Sequence, residues 1–431
     1  MSNIISLTVE NFRSYKDETT FSFEAIESDE CNGNYHDVVL ANGENIRLLN
    51  SAVFYGANAA GKSTIIFALY RIQEFVLDVE KNIKNIQNKE LPYFPHLLSE
   101  STKNAPIKMG LDFIVNKEIY SYAFSYNKNG FITEKLKNKS RDITLFSRDG
   151  EGNVKYDNNL LPEFNSVKIF TKIIKYQLVL SRLVTEENVI IQSIISEIAS
   201  MIILPFVENR SLWGDVQKTA EHIWKAPESQ FSRLIEELIV SSDTQIKDIK
   251  IVKNKLHLPS SWPTEVKSKF RDSYGYEVKM LHKMSDSDNL VEFNLSVESA
   301  GTKTLFSAAA QVLLALEKGS LLAYDEMNIA LHPKLFRRLV ELFHNEVTNP
   351  NHAQLLITTH DATLLEDNLM RADQIWFAEK ENGASKIYSA IDFNGVSIDQ
   401  PFEGWYRAGR LGARPNILPF KLNIERNNKE D

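Results

Sequence analysis

The sequence of 431 residues predicts an α/β fold with a mainly parallel sheet, an antiparallel β lobe and a mainly helical insertion. Three observations lead to this prediction. A glycine-rich motif follows a short apolar run early in the chain, hairpin patterns come after it, and apolar runs alternate with helical segments again near the end. We expect three regions: residues 1–160, residues 161–290 as the helical insertion, and residues 291–431 as the second part of the α/β unit.

The glycine-rich motif is a complete phosphate-binding loop. It lies between the apolar run Ser51–Tyr55, which predicts a strand, and a predicted helix from Ser63 to about Val79. Glycine lets backbone N–H groups point at phosphate oxygens, Lys62 can reach the β and γ phosphates, and the Ser63 hydroxyl can bind Mg²⁺. A glycine turn beside a coincidental Lys-Ser pair is the alternative. The nucleotide-binding candidates of this motif are Gly56, Asn58, Ala59, Ala60, Gly61, Lys62, Ser63 and Thr64.

Two regions around this motif predict strands. Residues 4–10 and 20–23 alternate apolar and polar side chains, which indicates an opening strand pair, and a polar loop over residues 31–45 follows. After the loop helix, strand-like runs cover residues 107–115, 119–126 and 131–136, and Asn129-Gly130 between two of them is a strong hairpin signal. This segment predicts an antiparallel lobe beside the nucleotide site.

The middle of the chain predicts helices. Residues 187–201 and 228–240 have helical patterns and are separated from their surroundings by Pro205, Pro227, Pro259 and Pro263. Neither repeats nor sustained heptads occur there. Residues 301–317 then predict a helix, 321–324 a strand, a further helix follows Pro333, and 355–358 predict another strand. This alternation favours crossover connections and a parallel sheet.

Carboxylates and a histidine follow two of these late strands. Asp325 and Glu326 end the run Leu321–Tyr324, where an Asp can support Mg²⁺ near Ser63 and a Glu can activate the attacking water. His360 ends the next strand, at the sheet edge where ligands of open α/β folds bind. A surface cap is the alternative for the carboxylate pair, and a helix cap is the alternative for His360.

A serine-glycine turn, with Ser299 and Gly301, precedes the helix 301–317. By itself Ser299 would be a helix N-cap. The order of phosphate loop, serine-glycine turn, strand with Asp-Glu and strand with His is, however, the order of ABC-class ATPases. With Asn11–Tyr15 near the N-terminus and Tyr406–Pro415 near the C-terminus, the chain resembles the RecF and SMC branch of that class. Within it, the chain is similar to OLD-like ATPases of phage-defence loci, of the RloA or AbiL type and the PARIS type.

The resemblance implies an ABC-class P-loop ATPase head that uses ATP and Mg²⁺. Ser63 and Asp325 would bind the metal, Glu326 would be the catalytic base, and His360 would sense the γ-phosphate. Ser299 and Gly301 would act on the nucleotide of a second protomer, which implies a homo-oligomer, and Arg13 would lie near the nucleotide. The signature differs from the Leu-Ser-Gly-Gly form of transporters, and the glutamine of the usual coupling loop has no assigned counterpart.

Composition narrows the choice of partners. The net charge of −8 argues against a surface that is a nucleic-acid footprint throughout, and the single Cys31 predicts neither a disulfide nor a metal site. The sequence contains neither a signal peptide nor an apolar run of membrane-spanning length, so we expect a cytoplasmic protein without membrane partners.

The predicted function is an ATP-hydrolysing sensor that controls a separately encoded nuclease or toxin during phage infection, with a phage-encoded trigger. Fewer than about eighty residues follow His360, too few for the nuclease domain of full-length OLD proteins. A RecF-like DNA-binding repair ATPase is the alternative. In that case DNA would be a partner, and Arg407, Arg410 and Arg414 could contact phosphates, although a subunit interface would use the same side chains.

Overall fold

A computed structural model describes residues 3–28, 31–162, 175–185, 187–205, 212–242, 245–255, 274–366, 369–393, 395–397 and 402–413. Pro259, Pro263 and Arg414 lie outside these residues. Among the described helices, none has the length and apolar character that a bilayer crossing requires.

The strands are numbered in chain order. They are β1 (Asn3–Glu10), β2 (Thr19–Ser22), β3 (Tyr35–Val39), β4 (Asn45–Leu49), β5 (Ser51–Tyr55), β6 (Ile107–Val115), β7 (Glu118–Asn127), β8 (Gly130–Asn138), β9 (Ile143–Arg148), β10 (Val154–Tyr156), β11 (Ile202–Leu204), β12 (Ile246–Lys255), β13 (Tyr274–Lys283), β14 (Leu290–Asn294), β15 (Leu321–Tyr324), β16 (Gln354–Thr358), β17 (Ile375–Glu381) and β18 (Ala384–Ser389).

The helices are numbered in the same way. They are α1 (Lys62–Leu77), α2 (Val79–Asn88), α3 (Val179–Arg182), α4 (Val189–Ser200), α5 (Leu212–Lys225), α6 (Gln230–Ser242), α7 (Ala300–Lys318), α8 (Pro333–Glu341) and α9 (Phe402–Arg407).

The core of the molecule is a six-stranded sheet with the order β11-β15-β16-β5-β17-β18. Every pair in it is parallel except β17 with β18. Strand β5, which leads into the phosphate loop, lies in the middle, and β16 separates it from β15, which ends at Asp325. The predicted parallel sheet is thus confirmed, and the carboxyl ends of β5, β15 and β16 meet at one edge.

Both faces of this sheet are covered, which explains why β5 is apolar at successive positions. Ala52 and Phe54 pack into a core shared with the lobe and α1, while Val53 and Tyr55 pack into a second core shared with α6 and α7. A strand buried on both sides has no polar face. The uninterrupted apolar run that the sequence shows before the phosphate loop is therefore a consequence of its central position.

The predicted antiparallel lobe is a seven-stranded sheet with the order β10-β9-β8-β7-β6-β1-β2. The opening strands belong to it, because β1 pairs with both β2 and β6. Asn116 and Lys117 connect β6 to β7 with φ angles of 51° and 63°, the left-handed values that two-residue hairpin turns require. The predicted Asn129-Gly130 hairpin joins β7 to β8, where Asn127 pairs with Gly130.

The middle of the chain contains the predicted helices and two features that the sequence patterns did not indicate. Strands β12, β13 and β14 form a separate antiparallel sheet, and β11 joins the core sheet beside β15. The segment is therefore tied into the α/β unit. In β12, charged residues fall at irregular intervals among the apolar ones and the register shifts between Ile246 and Asp248, so the two-residue period of a strand is too weak to be distinguished from helix.

The expected polar loop over residues 31–45 is wrong in part, because β3 lies within it and pairs with β4. His36 on β3 is buried, with its ring nitrogens 2.6 Å from Asn50 Oδ1 and 3.0 Å from Asn3 Oδ1. A buried polar side chain with polar partners replaces the apolar residue that strand patterns require, so hydrophobic periodicity misses the strand.

A buried ion pair joins the N-terminal region to the core sheet. The Arg371 side chain is 0% exposed, and its guanidinium donates to both carboxylate oxygens of Asp373 at 2.9 and 2.8 Å. It also donates to the Ile26 carbonyl at 2.8 Å, and Asp373 accepts from the Ile26 N–H at 2.9 Å. The pair lies just before β17, so it fixes the chain after β2 against the strand beside β5.

We expect Arg371→Ala to lower the free energy of unfolding by about 3–5 kcal/mol, because it leaves the Asp373 carboxylate buried without its counterion. Chemical denaturation followed by circular dichroism measures the change. Lys386→Ala is the matched control, since Lys386 pairs with Glu381 where both side chains are more than 60% exposed, and it should leave stability unchanged. Equal effects of the two substitutions would contradict this account.

Candidate functional site

The phosphate loop has the close backbone packing that its glycines permit. Gly56 has a φ of 154°, and a Cβ there would lie 2.3 Å from the Ala378 carbonyl oxygen on β17. Gly61 has a φ of 114°, and a Cβ there would lie 2.6 Å from Ser385 Oγ. Larger residues would push the loop away from the sheet, so glycine is required at both positions.

Lys62 lies at the first turn of α1, with its ammonium folded over the loop. It is 5% exposed, and its Nζ donates to the carbonyls of Gly56 at 2.9 Å and Ala57 at 3.2 Å. Burial lowers the pKa of Lys62, although the carboxylates of Glu326 and Asp325 act in the opposite direction. The ammonium is therefore held within the loop, where an anionic ligand would meet it.

Thr358 organises the two carboxylates at the end of β15. Its hydroxyl donates to Asp325 Oδ1 and accepts from the Glu326 N–H at 2.8 Å. Both partners are at the carboxyl edge of the sheet, because β15 and β16 pair in parallel with Tyr324 opposite Ile357. Thr358 is 0% exposed, so its hydroxyl has these protein partners in place of water.

Glu326 has a left-handed backbone conformation, with a φ of 54°. This conformation is unfavourable for a residue with a Cβ, and it directs the Glu326 side chain differently from that of the preceding Asp325. Glu326 Oε1 lies 3.2 Å from His360 Nε2. The hydrogen bond from His360 lowers the pKa of Glu326 against the opposing effect of burial, and Lys62 adds to the lowering. Glu326 is thus a carboxylate at neutral pH.

His360 connects the phosphate loop to the carboxylates. Its Nε2 lies 3.2 Å from Lys62 Nζ as well as 3.2 Å from Glu326 Oε1. The ring nitrogen can accept a hydrogen bond from Lys62 or donate one to Glu326, and its tautomer decides which. The helix cap that was the alternative role for His360 is provided by Asp361, whose carboxylate accepts from the Thr363 N–H. His360 is therefore left to face the site.

The remaining loop residues surround this group. Asn58 and Ala59 are exposed at the tip of the loop, Ala59 with a φ of 62°, and Ala60 and Thr64 are buried. Ser63 is half-buried in the first turn of α1. Its hydroxyl and the Asp325 carboxylate are oxygen donors of the type that Mg²⁺ prefers.

The described residues contain no cluster of three His, Cys, Asp or Glu side chains that could hold a metal by itself. A Mg²⁺ ion bound through one carboxylate, one hydroxyl and the phosphates of a nucleotide needs no such cluster. The donor set at Ser63 and Asp325 and the glycine loop beside them therefore fit a magnesium nucleotide.

The serine-glycine turn lies at the start of α7. Ser299 is the N-cap, and its hydroxyl accepts from the Thr302 N–H at 3.1 Å. A Cβ on Gly301 would lie 2.9 Å from the Ala330 carbonyl, so the turn packs against the loop that follows Glu326. Among the described residues, no hydrogen bond joins Ser299 or Gly301 to the phosphate loop of the same chain.

Arg13 lies beside α1 in a turn with left-handed backbone, at a φ of 52°. Its guanidinium stacks on Phe67 of α1, 3.7 Å from the ring centre, and its backbone N–H donates to the Phe94 carbonyl at 2.8 Å. Burial and the nearby Arg71 lower the pKa of Arg13. The residue is thus close to the helix that begins at the phosphate loop, while its direct contacts are with aromatic rings.

Sequence reasoning missed several residues that position the loop. Tyr15 is buried and donates from its hydroxyl to the Gly61 carbonyl at 3.2 Å, and the hydroxyls of Ser14 and Ser385 lie 3.0 and 2.6 Å from where a Cβ on Gly61 would be. Ser14 and Tyr15 belong to the Asn11–Tyr15 motif, but the sequence assigns neither a position at the loop. A role for Thr358 could have been predicted, because it ends the strand that follows the Asp325-Glu326 strand along the chain. Nothing in the sequence around Ser385 points to the loop, since β18 comes more than 300 residues later.

Comparison with known proteins identifies a family model. The model described as "AAA domain, putative AbiEii toxin, Type IV TA system" matches residues 51–366, which is more than half of the chain. No curated protein matches the sequence. The match begins at β5 and includes the phosphate loop, the serine-glycine turn, Asp325, Glu326 and His360.

Solved structures with a similar fold are heads of SMC proteins, at low sequence identity. The SMC head bound to the C-winged helix domain of ScpA is 12% identical, covers 93% of this chain and 99% of its own, and has a TM-score of 0.46. A Pyrococcus furiosus Smc head bound to the C-terminal domain of ScpA is 14% identical, covers 95% and 99%, and has a TM-score of 0.46. The Thermotoga maritima SMC head is 14% identical, covers 90% and 98%, and has a TM-score of 0.40.

We expect Thr358→Val to lower turnover of ATP at least tenfold while ATP binding changes little, because the isosteric side chain leaves Asp325 and the Glu326 N–H without their shared partner. Thr359→Val is the matched control. Thr359 is equally buried, but its hydroxyl accepts from the Asp361 N–H at 2.9 Å and does not contact either carboxylate. Phosphate release and binding of a fluorescent ATP analogue measure the two quantities. Equal losses of turnover in both variants would contradict the role given to Thr358.

Proposed function

Because the chain belongs to the AAA-domain family of the AbiEii type, we propose that it is a Mg²⁺-dependent ATPase that regulates an anti-phage, abortive-infection system. In this proposal it controls a separately encoded nuclease or toxin and responds to a phage product. The observation that carries the ATPase part is the grouping of Lys62, His360 and Glu326, with His360 Nε2 at 3.2 Å from each of the other two side chains. The family description, which names a toxin and a toxin–antitoxin system, supports the regulatory part.

The side chains divide the work of hydrolysis among them. The loop N–H groups and Lys62 would hold the triphosphate, and Ser63 and Asp325 would hold Mg²⁺, which offsets the negative charge of the phosphates. The hydrogen bond from His360 lowers the pKa of Glu326 despite its burial and so keeps it ionised at neutral pH, available to accept a proton from an attacking water. His360 holds Glu326 and lies beside Lys62, a position from which it can respond to the terminal phosphate.

Two protomers would complete each site. Ser299 is exposed at the N-terminus of α7, and its hydrogen bonds within the described residues stay in its own helix. Exposed N–H groups and a serine hydroxyl at a helix N-terminus are suited to a phosphate group. Since no hydrogen bond joins the turn to its own phosphate loop within the described residues, the nucleotide that it serves would belong to a second copy of the chain. ATP would then hold two protomers together in a way that ADP does not.

This arrangement predicts complementation between two inactive variants. Ser299→Asp keeps the helix cap but places a negative charge where the γ-phosphate would approach, and Lys62→Ala removes a phosphate contact. Each variant alone should lose ATPase activity. A mixture should recover up to about a quarter of wild-type activity, because half of randomly formed dimers are mixed and each has one intact site.

Phosphate release at increasing ratios of the two variants provides the measurement. If Ser299 served its own nucleotide, each protomer in the mixture would carry one lethal change. Activity that stays at the level of the single variants would therefore contradict the two-protomer site. It would not contradict the proposed hydrolysis of ATP.

The regulatory role predicts a requirement for both neighbouring genes and ATP hydrolysis. Cells that carry the gene with its neighbours should resist phage, and Glu326→Gln should abolish resistance because hydrolysis needs the ionised carboxylate. Glu317→Gln, at the exposed end of α7, is the control and should protect like wild type. Plaque counts over a panel of phages measure protection. The proposal would be contradicted if this gene alone gave full protection and Lys62→Ala did not reduce it.

A further inference from the structure

A groove that the ATPase chemistry does not use lies next to the phosphate loop. Its volume is about 510 Å³. It is lined by the turn with Arg13 and Ser14, the loop of residues 93–98, residues 103–104, Lys128, and residues 380 and 383 of the β17–β18 hairpin. We call this feature the cationic groove, because Arg13, Lys128 and Lys380 line it.

Apolar side chains form the floor of the cationic groove and remain open to solvent. Phe94 is 43% exposed, Leu97 is 63% exposed and Leu98 is 68% exposed. Gly383 lies directly on Leu98, since a Cβ there would be 2.8 Å from Leu98 Cδ1. Three large apolar residues exposed side by side in a concave site indicate that a ligand covers them.

Cations surround this apolar floor. Arg13, Lys128 and Lys380 line the groove, and within the described residues none of the three forms an ion pair. Lys103, also on the rim, is paired with Glu100. The whole chain carries a net charge of −8, so a local group of three unpaired cations has the opposite sign to the protein as a whole. A ligand that satisfies both features has acidic and apolar groups.

The groove is mechanically joined to the phosphate loop. The Ser14 carbonyl, in the turn that lines the groove, accepts from the Ser385 N–H at 2.7 Å, which ties this turn to β18. The hydroxyls of these two serines lie against Gly61, and neither has a hydrogen-bond partner among the described residues. A ligand that moves the Arg13–Ser14 turn therefore changes the contacts on the glycine that precedes Lys62.

We propose that the cationic groove binds an acidic, apolar peptide segment of a partner protein, and that this binding is coupled to nucleotide binding at Lys62. The coupling part rests on the proposed ATPase function, while the docking part does not. A polyanion such as nucleic acid fits less well, because the Glu100 carboxylate is paired with Lys103 on the rim and would repel the phosphates. A short peptide can place its carboxylates on Arg13, Lys128 and Lys380 and its apolar side chains on Leu97 and Leu98.

The test begins with the full-length protein, without nucleotide, and a random peptide library displayed on phage. Selected peptides should combine Asp or Glu with Leu, Ile or Phe. A fluorescein-labelled synthetic copy of the most enriched peptide should lose at least tenfold in affinity for a Lys128→Glu, Lys380→Glu variant and for Leu97→Ser. A Lys155→Glu, Lys318→Glu variant carries the same charge change on exposed residues outside the groove, and should bind like wild type. All four residues changed to Glu are exposed, and thermal denaturation verifies that each variant is folded.

Three results would overturn the docking site. In the first, the selected peptides lack acidic residues. In the second, the groove variant and the control variant lose the same affinity for the peptide. In the third, the protein binds a labelled 20-nucleotide single strand and the groove variant does not. Sedimentation velocity adds a further check, since a dimer that dissociates in the groove variant would identify a second copy as the occupant and would also overturn it.

Coupling has a separate readout. In the Glu326→Gln variant, saturating Mg-ATP should change the peptide affinity at least about fivefold, and the peptide should change ATP affinity by the same factor. Lys62→Ala should abolish the effect. If the protein binds ATP but its affinity for the peptide does not change with ATP, the coupling is overturned and the docking site is not. Failure of the wild type to bind ATP would instead contradict the proposed function, and the nucleotide-free peptide assay would still decide the docking site.

Discussion

The candidate site depends on one hydroxyl group shared between two strands. Thr358 at the end of β16 donates to Asp325 and accepts from the Glu326 N–H at the end of β15. These bonds set both carboxylates at the sheet edge, while β16 also pairs with β5 and so places His360 next to Lys62. Parallel pairing gives the three strand ends a common edge, and the buried hydroxyl fixes which way the carboxylates point.

Backbone strain accompanies this arrangement at the residue that would be the base. Glu326 has a φ of 54°, and Ala330 in the following loop has a φ of 63°. Left-handed backbone at residues other than glycine persists where surrounding contacts hold it. Here the contacts are the hydrogen bond to Thr358 and the packing of the loop against Gly301. The loop after Glu326 thus connects the carboxylate to the serine-glycine turn, which gives the two parts of the proposed two-protomer site a physical link.

Much of the fold could be predicted from the sequence, because the relevant signals are local. The phosphate loop, the apolar strands β5 and β15 and the hairpin at Asn129-Gly130 each have a short pattern with a definite physical cause. The placement of Glu326 near His360 also followed from the order of the strands, although their catalytic roles remain predictions. What the sequence could not show are contacts between distant segments. Ser385, Ala378 and Arg371 act on the loop or the N-terminal region only because β17 lies beside β5.

The order of strands in the core sheet has a consequence for synthesis on the ribosome. Strand β5 is made early, but its two neighbours, β16 and β17, begin at residues 354 and 375. Pairings over such separations in sequence form late and slowly. A nascent chain would therefore carry an unpaired and mainly apolar β5 until β16, which begins at residue 354, has emerged. Incomplete chains of this protein would therefore bind chaperones, and the candidate site would form only after β16 and β17 have been made.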